Sequence, residues 1–408
     1  MKLLFLSASG EMGGAERSLY DIMASIRAAE PGWGLHLIVP HAGVFSTRAS
    51  ALGVEVEVVE FPPALARLGD AGAGGPAGPQ ISRVRLVVNL LAAVPGLFRH
   101  LRKLRAALRR ISPDVVHANG LKAHVLSVWA RPGARPPVVW HVHDYVGQRP
   151  LMARLLRKYS RRCAAAIVNS DSVGADLRAV CGDGLKTFTL YNGVDLEVFS
   201  PEGERLDLDA LSGLPAAAPG TVRVGLLATM ARWKGHETFL TALSLLPADT
   251  PVRGYVIGGS IYRTQGSQFS PEELRGLAAR LGLGGRVGFA GFVENPEAAI
   301  RSLDVLVHAS TRPEPFGLVI AEGMACGLPV IASSAGGAAE IISMGNVPFA
   351  HAPGDAGELA SQIGRLAADA ELRARRGRAG RATAERYFDR ARLAAGLAAP
   401  YREAEASH

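Results

Sequence analysis

Cysteine is scarce in this sequence. Cys163, Cys181 and Cys326 are the three in 408 residues, an odd set without C-x-x-C spacing. That excludes a disulfide scaffold and a cysteine-built zinc site, and it fits reduced thiols in a cytoplasmic protein. Long apolar runs are missing as well. The longest, Leu86 to Phe98, is 13 residues broken by Asn89 and Pro95, short of the roughly 20 that a membrane-spanning helix needs. The run Leu3 to Leu6 is too brief for the apolar centre of a secretory signal and reads as a first strand. No G-x-x-x-x-G-K-[ST] occurs, no strand is followed by G-x-G-x-x-G, and H-E-x-x-H and G-x-S-x-G are absent. P-loop, dinucleotide, metalloprotease and serine-hydrolase chemistry therefore lose their warrant. Acidic residues are thin in one region: residues 81–162 hold 17 Lys and Arg against Asp114 and Asp144 alone. Residues 1–195 carry net +10 in a chain of net +8, so a partner of the first half is expected to be anionic, whether nucleic acid, acidic lipid or acidic glycan.

What is present is apolar sequence in short pieces. A hydrophobic content of 48% over 408 residues is enough for a large core and too long for one ordinary domain. β-branched runs alternate with helical patterns from end to end, the signature of parallel sheets covered by helices. Strands are expected at Lys2–Ser7, His36–Pro40, Glu55–Val59, Val115–Ala118, Val138–His143, Ala165–Asn169 and Lys186–Leu190 in the first half. The second half repeats the theme at Val222–Ala228, Arg253–Gly258, Arg286–Ala290, Asp304–His308 and Pro329–Ala332. Residues 196–220 contain Pro201, Pro215 and Pro219 but no strand pattern and read as a linker. The expected division is a first domain at 1–195 with a mobile loop at 69–80, a second at 221–385, and a last segment at 386–408. Asp207 and Asp209, a D-x-D inside that linker, read as a solvated surface pair.

Leu97, Leu101, Leu104, Leu108 and Ile111 recur at spacings of three and four, with Arg99, Arg102, Lys103, Arg105, Arg109 and Arg110 between them. This predicts a basic amphipathic helix. Its apolar stripe suits a core, and its charged face suits solvent or an acidic membrane surface.

The sharpest cluster follows the strand Asp304–His308. It reads Arg312-Pro313-Glu314-Pro315-Phe316-Gly317-Leu318-Val319-Ile320-Ala321-Glu322. The prolines and glycine force a turn, and a helix is expected to begin near Phe316 or Gly317. Its first N–H groups have no internal partner and form an anion site suited to a diphosphate. Glu314 before the helix and Glu322 within it are acceptor groups that suit paired sugar hydroxyls.

That run, with Met324-Ala325-Cys326-Gly327-Leu328-Pro329-Val330 and Gly336-Gly337-Ala338-Ala339-Glu340 after it, resembles the donor domain of the retaining glycosyltransferases of family 4. The resemblance continues through Gly13-Gly14-Ala15-Glu16, Asp114-Val115-Val116-His117, Asn192-Gly193-Val194-Asp195, Trp233-Lys234-Gly235 and Gly291-Phe292-Val293. It implies the GT-B fold: α/β, two Rossmann-like domains with parallel sheets facing across a cleft, and a C-terminal helix crossing back to the first domain. It implies that Glu322 binds the nucleotide ribose and that Glu314 contacts and positions the donor sugar. The amides of Phe316, Gly317 and Leu318 would hold the diphosphate, with Gly13 and Gly14 approaching it from the first domain. Phe292 and Val293 would meet the base, and His143 would lie near the transferred sugar, while His117 and His141 read as structural. One departure stands out. The family places an arginine five residues before Lys234, where this chain has Thr229; Arg232 is the expected substitute and Arg263 a second candidate.

The implied activity is metal-independent transfer of a sugar, with retention, from a nucleotide-diphosphate sugar to an acceptor hydroxyl, with no cofactor. The departing phosphate helps to deprotonate the acceptor, and no dedicated nucleophile is evident. The acceptor is expected to be a lipid-linked or cell-surface glycan intermediate, reached from the cytoplasm with peripheral contact to an anionic membrane. A natural-product or metabolite glycosyltransferase, a GT-B phosphorylase and a nucleotide-sugar epimerase remain alternatives. Nucleic acid is not expected as a partner, because the basic region holds no recognised binding motif.

Overall fold

Strands covered by helices on both faces must be apolar on both faces. β4 (Val115–Asn119), β5 (Val138–Val142) and β6 (Ala165–Val168) meet that condition, with every residue buried. They belong to a seven-stranded parallel sheet with β1 (Lys2–Ser7), β2 (Gly34–Val39), β3 (Glu55–Val58) and β7 (Thr187–Thr189), in the order β3-β2-β1-β4-β5-β6-β7. The second sheet contains β8 (Val222–Leu227), β9 (Val252–Ile257), β10 (Val287–Gly291), β11 (Val305–His308), β12 (Val330–Ser333) and β13 (Ala350–His351). Its order is β10-β9-β8-β11-β12-β13, again parallel. The computed structural model describes residues 1–62, 83–131, 133, 135–259, 267–345 and 349–406, with backbone alone for 83–93. The expected mobile loop at 69–80 and Arg263 lie outside the described residues.

The expectation of two Rossmann-like parallel sheets is met. β13 was not anticipated, because a two-residue strand is too short for any periodic signal. In both sheets the chain reverses direction of winding between the first strand and the one that follows its third, between β1 and β4 and between β8 and β11. Open parallel sheets bind ligands at that point, beyond the carboxyl ends of the strands.

The chain divides into two compact units. One is Met1–Gly193 with Arg390–His408, the other Val194–Asp389. In the first, alternate residues of β1 face opposite layers, Leu4 and Leu6 into one core cluster and Leu3 and Phe5 into the other. The basic amphipathic helix spans Arg83–Ile111, and its stripe Leu101, Leu104, Leu108 and Ile111 is buried in the first cluster. Each such leucine contributes about 1.5–3 kcal/mol relative to an exposed one. Arg99, Arg102, Lys103, Arg109 and Arg110 are exposed. The last helix, Ala398–Ala406, packs in the second cluster through Tyr401, whose hydroxyl lies 2.9 Å from His117 Nδ1. The long helix Ala370–Tyr387 belongs to the second unit and the return starts at Arg390, so residues 386–389 stay with the second unit rather than opening the last segment.

The segment 196–220 is part of the second unit and not a free linker. Arg301, itself buried, donates to the carbonyls of Glu204 at 2.8 Å and Val198 at 3.0 Å. Asp209 corrects the surface reading of the D-x-D. It is 4% exposed and accepts from Arg253 Nη1 at 2.6 Å, Tyr255 Oη at 2.5 Å and the Ala217 amide at 2.9 Å. Burial alone would raise its pKa, but the Tyr255 and Arg253 donors override that and hold it at about 2. Asp207 does lie at the surface, capping the short helix Leu208–Leu211 by accepting from the Ala210 amide at 3.0 Å. Among the described residues no helix is long and apolar enough to cross a membrane.

Candidate active site

β8 and β11 flank the reversal in the second sheet, and the residues leaving their carboxyl ends meet. Trp233-Lys234-Gly235 turns back onto the end of β11, with the Thr311 amide donating to the Trp233 carbonyl at 2.8 Å. Gly235 has φ +79°, and a Cβ there would collide with the Ala309 carbonyl, so this position needs glycine on both counts. The turn delivers Lys234 to Glu314. Lys234 Nζ donates to Glu314 Oε1 at 2.9 Å and to Oε2 at 2.8 Å, with side-chain exposures of 20% and 10%.

Two further side chains converge on the same carboxylate. Ser310 Oγ donates to Glu314 Oε2 at 2.8 Å, and His308 Nε2 stands 3.2 Å from it. Burial would push the Glu314 carboxyl up, but the Lys234 ammonium and the His308 hydrogen bond prevail and hold it well below the usual carboxylate range. His308 is itself pushed down by burial, against the pull of Glu314. The backbone of the Glu314 loop is clamped from the next helix: the Gly337 amide donates to the Glu314 carbonyl at 2.7 Å. A Cβ on Gly337 would strike the Pro315 carbonyl and come within 2.8 Å of Phe316 Cα. Glu314 is therefore fixed at its side chain and its backbone.

The helix after this loop is Leu318–Ala325, starting one to two residues later than the sequence suggested, with Gly317 as N-cap at φ +96°. Phe316 is buried edge-on against Phe388, centroids 5.8 Å apart, which anchors the approach to the helix. Of its first-turn amides, that of Ile320 already donates to the Gly317 carbonyl at 2.9 Å, which leaves those of Leu318 and Val319, ahead of the first intrahelical bond, at the positive end of the helix dipole. Glu322 lies one turn in and is buried. Phe292, 69% exposed, and Val293 follow β10, which ends at Gly291 with φ +71°.

Arg232 stands differently from what the missing family arginine suggested. Its guanidinium donates to Glu273 Oε1 at 2.7 Å and lies over the Phe269 ring at 4.3 Å. Those contacts direct it to the helix Pro271–Arg280 and its cap.

In the first unit, Gly13 and Gly14 follow β1 at the other reversal point, and Gly14 begins the helix Gly14–Ala29. Neither has a positive φ, and a Cβ on Gly14 would meet nothing within 4 Å. Protein packing does not require a glycine at position 14, whereas a Cβ on Gly13 would come within 2.7 Å of Glu16 Oε2. His143 follows β5, with Nε2 2.6 Å from Asn119 Oδ1. His117 and His141 lie behind it, fully buried, with His117 Nε2 3.2 Å from His141 Nδ1. Burial pushes His117 and His143 down to about 3, His124 to about 4, and His141 well below its usual value. Among the described residues no three His, Cys, Asp or Glu side chains group as a metal site.

Sequence reasoning missed His308, Ser310 and Asn119. The first two had a signal: residues 308 and 310 alternate onto one side at the end of a strand, and the turn returns Glu314 to that side. Asn119 closes β4 immediately after the Asp114-Val115-Val116-His117 run.

Two Rossmann-like units, each with a parallel doubly wound sheet, define a GT-B architecture. Two family models match, "Glycosyltransferase Family 4" over residues 12–198 and "Glycosyl transferases group 1" over residues 219–383. The chain belongs to these group 1, family 4 GT-B glycosyltransferases. Its fold is similar to that of Anabaena Alr3699/HepE, solved in complex with UDP, at a TM-score of 0.77 and 28% identity over 98% of this chain and 99% of that one. The same protein has been solved with UDP-glucose. In sequence the chain is 28% identical to the lipopolysaccharide core biosynthesis mannosyltransferase LpsB of Rhizobium meliloti, over 54% of this chain and 66% of that one. It is 32% identical to the D-inositol 3-phosphate glycosyltransferase of Streptomyces scabiei, over 53% of this chain and 49% of that one. The chain thus spans about half to two thirds of the length of these curated relatives.

Proposed function

We propose that this protein is a retaining glycosyltransferase that takes its sugar from a nucleotide-diphosphate donor, with UDP-glucose as first candidate, and needs no metal. The observation that carries the reading is the Lys234–Glu314 pair beside the amino end of the helix Leu318–Ala325, at the reversal point of the second sheet. An ammonium has three donors, and Glu314 takes two of them. The third is left for a phosphate oxygen. Cleavage between the anomeric carbon and the phosphate builds negative charge on the leaving diphosphate. A fixed ammonium and oriented helix amides stabilise that charge more in the transition state than in the ground state. Glu314 plays two parts, holding Lys234 in place and offering acceptor oxygens to sugar hydroxyls. Glu322 serves the ribose, Phe292 and Val293 the base, and Gly13 and Gly14 the phosphates. HepE, bound to UDP and to UDP-glucose, supports the choice of donor.

The acceptor we propose is a glycan or lipid-linked intermediate. The exposed basic faces of the helices Arg83–Ile111 and Pro150–Tyr159, with Phe98 and Leu151 exposed among the arginines, support a peripheral seat on anionic lipid. Similarity to D-inositol 3-phosphate glycosyltransferases favours a small phosphorylated acceptor as the second reading. Incubation with UDP-glucose, using water as surrogate acceptor and following the product by proton NMR, tests the chemistry. Retention releases α-glucose first, together with UDP. First release of β-glucose, or no UDP, overturns the proposal.

A further inference from the structure

Asn119 is the last residue of β4 and is 1% exposed. Its side-chain amide bridges two places that the sequence had assigned separately. Nδ2 lies 3.2 Å from the Ala15 carbonyl, in the first turn after Gly13-Gly14, and Oδ1 lies 2.6 Å from His143 Nε2. The chemistry of these partners settles where the protons are. A backbone carbonyl only accepts, so the amide must turn its NH2 toward Ala15. The oxygen then faces His143, and an amide oxygen also only accepts. Nε2 must therefore carry the hydrogen.

A neutral imidazole has one such hydrogen, which leaves a bare lone pair on Nδ1. No partner for Nδ1 is found among the described residues. The ring is neutral because burial, with His124 nearby, pushes its pKa down to about 3. Its place is set from the main chain as well, since Asn169 Nδ2 donates to the His143 carbonyl at 3.4 Å.

We infer that Asn119 is a positioning residue that locks His143 as the Nε2–H tautomer, so that His143 meets the substrate as an acceptor, through Nδ1, for a sugar hydroxyl. A lone pair repels a phosphate oxygen and attracts an O–H, so this ring recognises the sugar and not the diphosphate. The same amide ties the glycine turn after β1 to the ring after β5 at the reversal point of the first sheet. A shift in either is therefore passed to the other. The substrate part of this inference rests on the glycosyltransferase reading; the tautomer does not.

Long-range proton–nitrogen correlation NMR on protein labelled with 15N-histidine, at mildly alkaline pH, reads the tautomer directly. The His143→Gln variant supplies the assignment. In the wild-type protein His143 is expected to show the Nε2–H pattern, and Asn119→Ala is expected to redistribute it toward Nδ1–H. In the same variant kcat/KM for UDP-glucose is expected to fall on the order of tenfold to 100-fold, as for a misplaced positioning contact. An Nδ1–H pattern in the wild-type protein overturns the inference without need of any variant, as does an unchanged pattern in a folded Asn119→Ala. Should the Nε2–H pattern stand while wild-type protein turns over no nucleotide sugar, the functional reading falls and the tautomer lock remains.

Discussion

Replacing Lys234 by Met removes the charge that keeps Glu314 ionised while retaining most of the side-chain volume. The carboxylate, 10% exposed, then keeps Ser310 and a neutral His308 among its donors. Breaking a buried ion pair by deleting one partner costs about 3–5 kcal/mol. The low end applies, about 3 kcal/mol, because Lys234 is 20% exposed and two donors stay behind. Glu314→Gln leaves an ammonium that retains a path to water, and should cost about 1–2 kcal/mol. The double variant should lose less than the sum of the two, by about 1.5 kcal/mol or more, since both single changes remove the same contact. Trp233 reports on this unit, because the other three tryptophans, Trp33, Trp129 and Trp140, all lie in the first. It also sits directly under the Lys234 ammonium, 4.1 Å from ring centroid to Nζ. Urea titration of 5-fluorotryptophan protein, followed by the 19F signal of Trp233, should move its midpoint down by about 1.5 M for Lys234→Met, taking a slope of about 2 kcal/mol/M. Strict additivity, or a midpoint unmoved by Lys234→Met, refutes the buried pair.

Further consequences follow from residues outside that pair. His117 and His124 have folded pKa values of about 3 and about 4, below the unfolded 6.5, so the unfolded state binds more protons as pH falls below 6.5. Stability of the first unit should drop from pH 7 to pH 5 by at most about 2 kcal/mol for each, read by urea titration on the Trp140 19F signal; a pH-independent midpoint contradicts it. Gly14→Ala should leave stability equal or about 0.5–1 kcal/mol higher, since the site is open and helical, while lowering donor turnover. Unchanged turnover would show that nothing approaches that backbone. Arg232→Ala should keep turnover near wild type, because Glu273 and Phe269 engage its guanidinium, whereas a loss matching that of Lys234→Met would return it to the phosphates.

Much of the frame was legible because it rests on local pattern. Short strand-like runs gave twelve of the thirteen strands found among the described residues, and the turn residues around Glu314 located the start of a helix within two positions. Contacts between distant residues were not legible. Asp209 looked solvated because its segment has no periodicity; the groups that bury it, Arg253 and Tyr255, are brought across by β9. Arg232 looked like a phosphate ligand because it is two residues from Lys234. Yet the 3-10 turn Arg232–Lys234 sends the two side chains to different partners, Glu273 and Glu314. Asn119 carried no motif at all. Its meaning lies in the pairing of β1, β4 and β5, which places residues far apart in sequence side by side.

The most direct test of the central claim, that the Lys234–Glu314 pair and the helix amides beside it hold a nucleotide diphosphate, is thermal unfolding with UDP-, GDP- and ADP-sugars in wild-type and Lys234→Met protein. A ligand at about 100 times its Kd stabilises the folded form by about 2.7 kcal/mol. The account predicts a clear rise in Tm with at least one of these donors, and its loss in Lys234→Met. No rise with any of them, or the same rise in the variant, would contradict it.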